Sequence, residues 1–398
     1  MPGYLKTLTD APLFAEAKSR LRARLQETAA AKAKARIHRE AAVRGIATPT
    51  TAETVAALRA RLAERAARHG WPKRKGDLHV FVAFRHFDWE EVLIDAFKPF
   101  GEVTVFEWSS QGFNQEAGDW PERRPHMNRA MLEAFEAANA RRPVDVVVGY
   151  LSGFTTMPQT VDAMTRAGAA VFNFSYDDKL DTDDPLPDGV IRGPTGLAPN
   201  VDLSLTHDPD GILKYVIRGG LAHFHPEAAE PHIHHPHDVP FKYDVSFVGG
   251  MYGARPGFID KLKKSGVDVV AFGRGWPAGT LTLDQMVEMF SLSRINLGFG
   301  GIGHSLKLMC LKGRDFEIPM AGGLYLTQHN PELDLVFEVG TEIVTYTDVA
   351  DCVAKIKALL ADDPRSAAIR AAGRARCLTD HSYEARWTKV FEMAGVLE

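Results

Sequence analysis

The stretch "GRDFEIPMAGGLYLTQHNPEL", residues 313–333, changes its chemistry halfway along. Through Ala321 it reads as helix. Gly322-Gly323 stops that pattern, and Leu324 opens a short apolar run with strand character. Arg314 and Glu317 stand three apart on the helical side, so they share one face. Phe316, Ile318 and Met320 around them predict a turn that is largely covered rather than freely exposed.

The same handover recurs on both sides of this joint. Upstream, "LHVFVAF" (78–84), "VTVFEW" (103–108), "VDVVVGYL" (144–151), "AAVFNF" (169–174) and "DLSLTH" (202–207) are short β-branched apolar runs. Segments of helical period such as "EEVLIDAFKPF" and "RAMLEAFEAANA" lie between them. Residues 225–242, "HPEAAEPHIHHPHDVPFK", carry four prolines and no apolar period, and read as a linker. The alternation then restarts with "YDVSFVG" (243–249), "VDVVAFG" (267–273), "RINLGFG" (294–300), "GLYLT" (323–327) and "EIVTYT" (342–347). Helical stretches at 349–361, 365–377 and about 382–396 finish the chain. Strands alternating with helices predict parallel sheets covered on both faces. Two such doubly wound units would enclose a cleft, with the carboxyl ends of their strands aimed at it.

A chain of 398 residues has room for two such domains plus an extension. No run of 18 apolar residues predicts a membrane span, and "MPGYLKTLTDAPLF" lacks the apolar core of a signal peptide. Cys310, Cys352 and Cys377 are too scattered for a disulfide framework, so a reduced, cytoplasmic setting is expected. Residues 1–72 hold 14 Lys/Arg against 6 Asp/Glu, a balance of +8 in a chain whose net charge is −4. Leu13, Phe14, Ala17, Leu21 and Leu25 recur at helical spacing there. Thr50 with Glu53 forms a capping-box pattern ahead of Val55, Leu58 and Leu62. The reading is two basic helices, either an arm packed on the body or on a second subunit, or a surface for an acidic partner or anionic membrane.

Two glycine-rich loops are candidate anion sites. In "FVGGMYGARPGF", Gly249 and Gly250 permit a tight turn after the strand, Pro256 suits a helix start, and Arg255 adds fixed positive charge. The spacing is not that of a dinucleotide fingerprint, and a plain glycine turn is the alternative. In "GFGGIGHSLKL", Gly298, Gly300, Gly301 and Gly303 precede His304 and Ser305. A helix starting near Ser305 and running to Ala321 would offer its amides to a diphosphate and place Glu317 roughly three turns along. A flexible surface loop is the other reading. A carboxylate at Glu317 suits the two hydroxyls of a ribose.

Arg314-Asp315-Phe316-Glu317, Gly322-Gly323, Pro331-Glu332-Leu333, Phe337, Gly340, Glu342-Ile343-Val344 and His381 with Tyr383 and Arg386 together resemble the CgeB-like (spore-maturation) glycosyltransferases. These are relatives of the large retaining class with the GT-B fold. "FGRGW" (272–276) and "YDDKLD" (176–181) are similar to that family too. The likeness spans about 240–388 well, 75–235 weakly and 1–72 not at all. It implies a GT-B α/β fold of two Rossmann-like domains facing a cleft. Residues 1–72 are then a basic helical extension, 73–235 an acceptor domain, 236–380 a nucleotide-sugar-binding domain, and 381–398 a helix returning across the cleft.

The resemblance implies donor contacts from Gly249, Gly250, Arg255, Gly273, Trp276, Gly300, Gly303, His304, Ser305, Glu317, Gly322 and Gly323. Glu317 stands where the second glutamate of a Glu-(seven residues)-Glu pattern would hold ribose. Position 309, where the first would stand, is Met. Trp276 stacks on the base in this reading, or else serves the core.

Transfer requires a neutralised leaving diphosphate and an oriented acceptor hydroxyl. Arg314 and Arg255 are the candidates for the first, His86 and Asp178 for the second, with Asp88 and Asp177 nearby in sequence. Neither "DTDD" (181–184) nor the histidines at 232, 234, 235 and 237 predict a metal site, so no metal and no cofactor beyond the nucleotide sugar are expected. The expectation is a metal-independent glycosyltransferase with an unidentified acceptor (protein, glycan or metabolite). The alternatives are a nucleotide-sugar hydrolase or epimerase of the same fold and a non-catalytic nucleotide-sugar scaffold. The basic helices would serve oligomerisation or contact with an acceptor or membrane surface, and a nucleic-acid partner is not expected.

Overall fold

The computed structural model describes residues 12–85, 90–180, 184–305 and 307–398. Two bodies emerge. One comprises residues 33–226 with 383–398; the other comprises residues up to 32 with 227–382. Among the described residues, no helix is long and apolar enough to cross a membrane.

The chain opens with helices α1 (Pro12–Val43) and α2 (Thr51–His69). The predicted capping box at α2 is present: Thr50 Oγ1 accepts from the Glu53 amide, and the Glu53 carboxylate accepts from the Thr50 amide. Gly70 closes the helix in the left-handed region, which its lack of a Cβ permits. Leu58 and Leu62 are buried beneath it.

The first body then builds β1 (Leu78–Phe84), α3 (Glu90–Asp95), β2 (Gly101–Glu107), α4 (Trp120–Arg141), β3 (Val146–Gly149), α5 (Pro158–Ala167), β4 (Ala170–Ser175), β5 (Leu203–Thr206), α6 (Ile212–Val216) and β6 (Ala222–Phe224). All six strands are parallel, in the order β2-β1-β3-β4-β5-β6. β1 is buried along its whole length, as a central parallel strand covered on both faces must be. β6 was not expected from sequence; its three residues are too few to show a period.

The second body repeats the plan with β7 (Tyr243–Val248), α7 (Arg255–Lys264), β8 (Val269–Phe272), α8 (Leu283–Leu292), β9 (Ser293–Leu297), α9 (Gly313–Met320), β10 (Tyr325–Gln328), β11 (Val344–Tyr346), α10 (Val349–Ala361) and α11 (Asp363–Asp380). Its five strands are parallel in the order β11-β10-β9-β7-β8. Strand order reverses at β7. The chain leaves β7 toward β8 and later returns to β9 on the other side, so the carboxyl ends of β7 and β9 form a topological switch point, where such sheets bind ligands. The last helix, α12 (Tyr383–Ala394), packs Trp387 and Phe391 on Phe97, Phe100, Phe172 and Phe174 of the first body.

Two sequence expectations are corrected here. No helix begins at Ser305. After β9 the chain doubles back through a Gly301–Met309 bridge, with the Ile302 amide on the Leu308 carbonyl and the Cys310 amide on the Gly300 carbonyl. Backbone pairing uses the groups a helix would need, and α9 starts only at Gly313, so Glu317 lies one turn into an eight-residue helix. The second correction concerns α1. Leu21 and Leu25 are 58% and 63% exposed, while Ser19, Ala23, Gln26, Glu27 and Ala30 lie on the more covered side.

Candidate functional site

At the switch point of the second body, the loop after β7 is shaped by glycine and by one arginine. The Gly249 amide donates to the Phe272 carbonyl, and the Trp276 indole Nε1 donates to the Gly249 carbonyl at 2.8 Å. Gly273, at a positive φ of 124°, approaches so closely that a Cβ there would stand 2.4 Å from the Gly249 oxygen. Arg255 Nη1 donates to the Gly250 carbonyl at 3.1 Å, and its guanidinium lies 4.0 Å from the Tyr252 ring centroid and 5.5 Å from that of Phe247. Burial pulls its pKa below the ordinary arginine value, although it stays a cation.

The loop after β9 meets this one backbone to backbone. A Cβ on Gly253 would come within 2.5 Å of the Gly303 carbonyl oxygen. In the same loop, Ser305 Oγ accepts from the Lys307 and Leu308 amides and donates to the Glu27 carboxylate at 2.6 Å, while His304 Nδ1 is 3.0 Å from Ser19 Oγ. Thus Gly249, Gly250 and Arg255 after β7, Gly273 and Trp276 after β8, and Gly300, Gly303, His304 and Ser305 after β9 lie in three neighbouring turns at the carboxyl edge of one sheet. Trp276 is half-buried, edge-on to Phe247 at 6.1 Å, with its indole N–H already engaged.

Helix α9 begins beside these turns. The Lys312 amide donates to Asp315 Oδ2 at 2.7 Å, which caps the helix, and the other Asp315 oxygen accepts from the Tyr325 hydroxyl at 2.6 Å. Full burial drives the Asp315 carboxyl up to about 6 despite those bonds. Lys312 Nζ reaches Cys310 Sγ at 2.8 Å. Sequence reading passed over Lys312; its one signal was a lysine directly before the helix-starting glycine. Arg314 pairs with Glu317 as the i,i+3 spacing predicts, with side chains 34% and 16% exposed. His234, from the proline-rich linker, lies 3.9 Å from Glu317 Oε1 and is kept neutral by burial. A Cβ on Gly313 would meet both the Glu227 and the Glu317 carboxylates, at 2.8 and 2.9 Å. Two acids therefore converge beside Gly313, and a larger residue there would push their carboxylates aside.

Gly322 and Gly323 stand elsewhere. They end α9 through bonds to the Pro319 and Ile318 carbonyls and precede β10, at the amino edge of the sheet. Gly323 is pressed against Asn296 and Ile318, where a Cβ would lie 2.8–2.9 Å from side-chain atoms.

In the first body, Asp178 is buried at 1% exposure. It accepts from the Tyr215 hydroxyl at 2.6 Å, with His207 Nδ1 at 3.0 Å and Lys214 Nζ at 3.6 Å. Burial alone would raise its pKa; Lys214 and His207 outweigh that and hold it at about 2. Asp177 accepts from the Tyr150 hydroxyl at 2.9 Å. His86 and Asp88 lie outside the described residues, as do positions 181–183 of the acidic loop. Among the described residues, no group of three or more His, Cys, Asp or Glu is arranged to hold a metal ion.

A family model described as "Glycosyl transferase-like" matches residues 255–392, the part of the chain that carries Arg255, the glycine turn after β9 and α9. Among solved structures, Anabaena HepE in complex with UDP and glucose superimposes with a TM-score of 0.56 at 11% identity, over 79% of this chain and 98% of that one. Sucrose-phosphate synthase from Thermosynechococcus elongatus superimposes with a TM-score of 0.52 at 10% identity, over 79% and 98%. No curated protein matches the chain. These likenesses show the fold: two parallel sheets with helices, as in GT-B glycosyltransferases, preceded here by a helical extension.

Proposed function

We propose that this protein is a metal-independent glycosyltransferase of the CgeB-like kind, which moves a sugar from a nucleoside-diphosphate donor to an acceptor hydroxyl. One observation carries the reading. Two glycine turns touch at the switch point of the second sheet, with the Arg255 guanidinium in one and the Lys312 ammonium beside the start of α9. Backbone amides and two cations gathered there suit a diphosphate. The convergence of Glu227 and Glu317 over Gly313 suits the vicinal hydroxyls of a ribose, since a carboxylate only accepts and each hydroxyl of the diol has one O–H to donate.

In this mechanism Arg255 and Lys312 stabilise the negative charge that develops on the leaving diphosphate. Arg314 holds Glu317 in place and shares that charge. Asp178 is assigned a supporting role, fixing Tyr215, His207 and Lys214, because its side chain is enclosed. Gly322 and Gly323 are assigned to packing. The HepE complexes with UDP and with UDP-glucose make the uridine donor the first to try.

The test is a thermal-shift panel of UDP, GDP and ADP with UDP-glucose, GDP-mannose and ADP-glucose, followed by turnover assays. A ligand that binds the folded state raises the melting temperature by mass action. The expected result is a shift with one base and donor consumption that depends on added acceptor. No shift with any compound overturns the proposal. Equal turnover without an acceptor would favour a hydrolase instead.

A further inference from the structure

The first half of helix α1 turns polar side chains toward the glycine loop and leaves Leu21 and Leu25 outside. Ser19, Gln26 and Glu27 are spaced i, i+7 and i+8, which places them on one helical face. Ser19 Oγ contacts His304 Nδ1 at 3.0 Å, and Glu27 Oε1 accepts the Ser305 hydroxyl at 2.6 Å. The Gln26 amide stands 2.8–2.9 Å from where a Cβ on Gly303 would be. Covering a carboxylate, an amide and a hydroxyl while Leu21 and Leu25 stay 58% and 63% exposed reverses the usual pattern of a packed helix. Such a local conflict marks a functional constraint more often than an efficient way of holding a helix.

The loop it meets lacks what Glu27 brings. Residues 298–311, "GFGGIGHSLKLMCL", contain no Asp or Glu. A further polar group lies beside Gly300. Asn330, 2% exposed, has its Nδ2 without a hydrogen-bond partner, and its Cβ lies 3.7 Å from where a Cβ on Gly300 would be. Gly300, next to Asn330, and Gly303, next to Gln26, carry no side chains. A carboxylate, an imidazole, a hydroxyl and an amide around side-chain-free backbone are partners for a ring bearing several hydroxyls. A phosphate at the same place would face the Glu27 charge, an arrangement that costs affinity.

We propose that α1 forms one wall of the donor's sugar subsite, with Glu27 accepting a hydrogen bond from a sugar hydroxyl and Ser19 orienting His304. This rests on the nucleotide-sugar reading given above. It places the diphosphate on the Arg255 and Lys312 side and the sugar on the Glu27 side.

The experiment is calorimetric titration of the full chain and its Glu27→Ala, Glu27→Gln and Ser19→Ala variants with UDP and UDP-glucose, GDP and GDP-mannose, and ADP and ADP-glucose. For the pair that binds the unaltered protein, Glu27→Ala should weaken the nucleotide sugar about tenfold and leave the nucleoside diphosphate within about twofold, as loss of one charged hydrogen bond predicts. Equal weakening of both ligands overturns the proposal, because α1 then only props the loop. Tighter binding of both overturns it as well, since the helix would then be a strap that donors displace. No change in either does the same. If Glu27→Ala fails to fold, Glu27→Gln and Ser19→Ala give the same comparison. If no pair binds the unaltered protein, the donor reading falls first, and that outcome is separate from the rest.

Discussion

Gly253 and Gly303 touch backbone to backbone: a Cβ on Gly253 would lie 2.5 Å from the Gly303 carbonyl oxygen, and both residues sit at positive φ, 62° and 59°. The contact between the two turns of the candidate donor site therefore depends on Gly253 having no side chain, while Gly303 leaves room for the Gln26 amide. Gly253→Ala brings the clash together with left-handed backbone strain, and destabilisation of about 1–3 kcal/mol is expected. The substitution should also weaken nucleotide binding, because the turns must part. Melting curves with and without nucleotide check both effects. A variant with unaltered melting and unaltered affinity would show that the contact is not tight.

Asp315 makes the stability of the second body depend on pH in an unusual direction. Its carboxyl is raised by burial from 3.8 to about 6, so the folded state holds a proton that the unfolded chain releases. The stabilisation is complete below about pH 4 and is lost as pH rises to about 6, at roughly 1.4 kcal/mol per pKa unit. Asp315→Asn keeps one acceptor, for the Lys312 amide, and presents an N–H to the Tyr325 oxygen, which can accept it, but cannot ionise. The stability of the wild type relative to this variant should therefore fall between pH 4 and 6 and stay level above. Urea titrations across that range give the difference; a flat difference refutes the assignment.

Most of the framework was legible because strands and helices announce themselves by period. "LHVFVAF" gives β1 residue for residue, Thr50 and Glu53 mark the start of α2, and the helix predicted at 349–361 is α10. What failed was whatever depends on partners distant in sequence. Leu308 and Cys310 look helical beside Ser305, yet the Leu308 carbonyl accepts from the Ile302 amide and the Cys310 amide donates to the Gly300 carbonyl. Nothing near Leu21 or Leu25 tells that this half of α1 meets the glycine loop by its polar side, while Ile37 and Ala41 further along pack with Leu213 and Ile217. Lys312 and Glu227 gain meaning only when Gly313 brings carboxylates together across 90 residues of chain. Local chemistry reveals the elements, and tertiary contact decides which of their faces are used.

Asp178 anchors the carboxyl ends of the first sheet. Burial opposes its charge, but Lys214 and His207 hold the carboxyl at about 2, below the ordinary 3.8. Its contribution is present above about pH 4 and is lost as pH falls toward 2, the reverse of the Asp315 case. Asp178→Asn leaves the buried Lys214 ammonium with only the more distant Asp208 carboxylate, at 4.0 Å, as a counter-charge, and should cost about 3–5 kcal/mol at neutral pH. Repeating the denaturation at pH 3 should narrow the gap between wild type and variant. A gap that stays constant from pH 7 to pH 3 would mean the aspartate acts by shape and not by charge.

Glu317 gives the sharpest test of the ribose contact, because its neighbours separate recognition from scaffolding. Its carboxylate pairs with Arg314 and lies 3.9 Å from His234, so removing it alters a local network as well as any ligand bond. Glu317→Ala should weaken nucleoside diphosphate binding by about 1–3 kcal/mol, the cost of leaving a buried hydroxyl partner unpaired. Arg314→Ala removes the pair but keeps the carboxylate, so nucleotide affinity should change less, while turnover falls through the charge that Arg314 shares. The ribose itself supplies the control. A 2′,3′-dideoxynucleoside diphosphate lacks both hydroxyls, so it should bind wild type and Glu317→Ala equally. If the variant loses as much affinity for the dideoxy ligand as for the natural one, Glu317 supports the fold of α9 and touches no sugar.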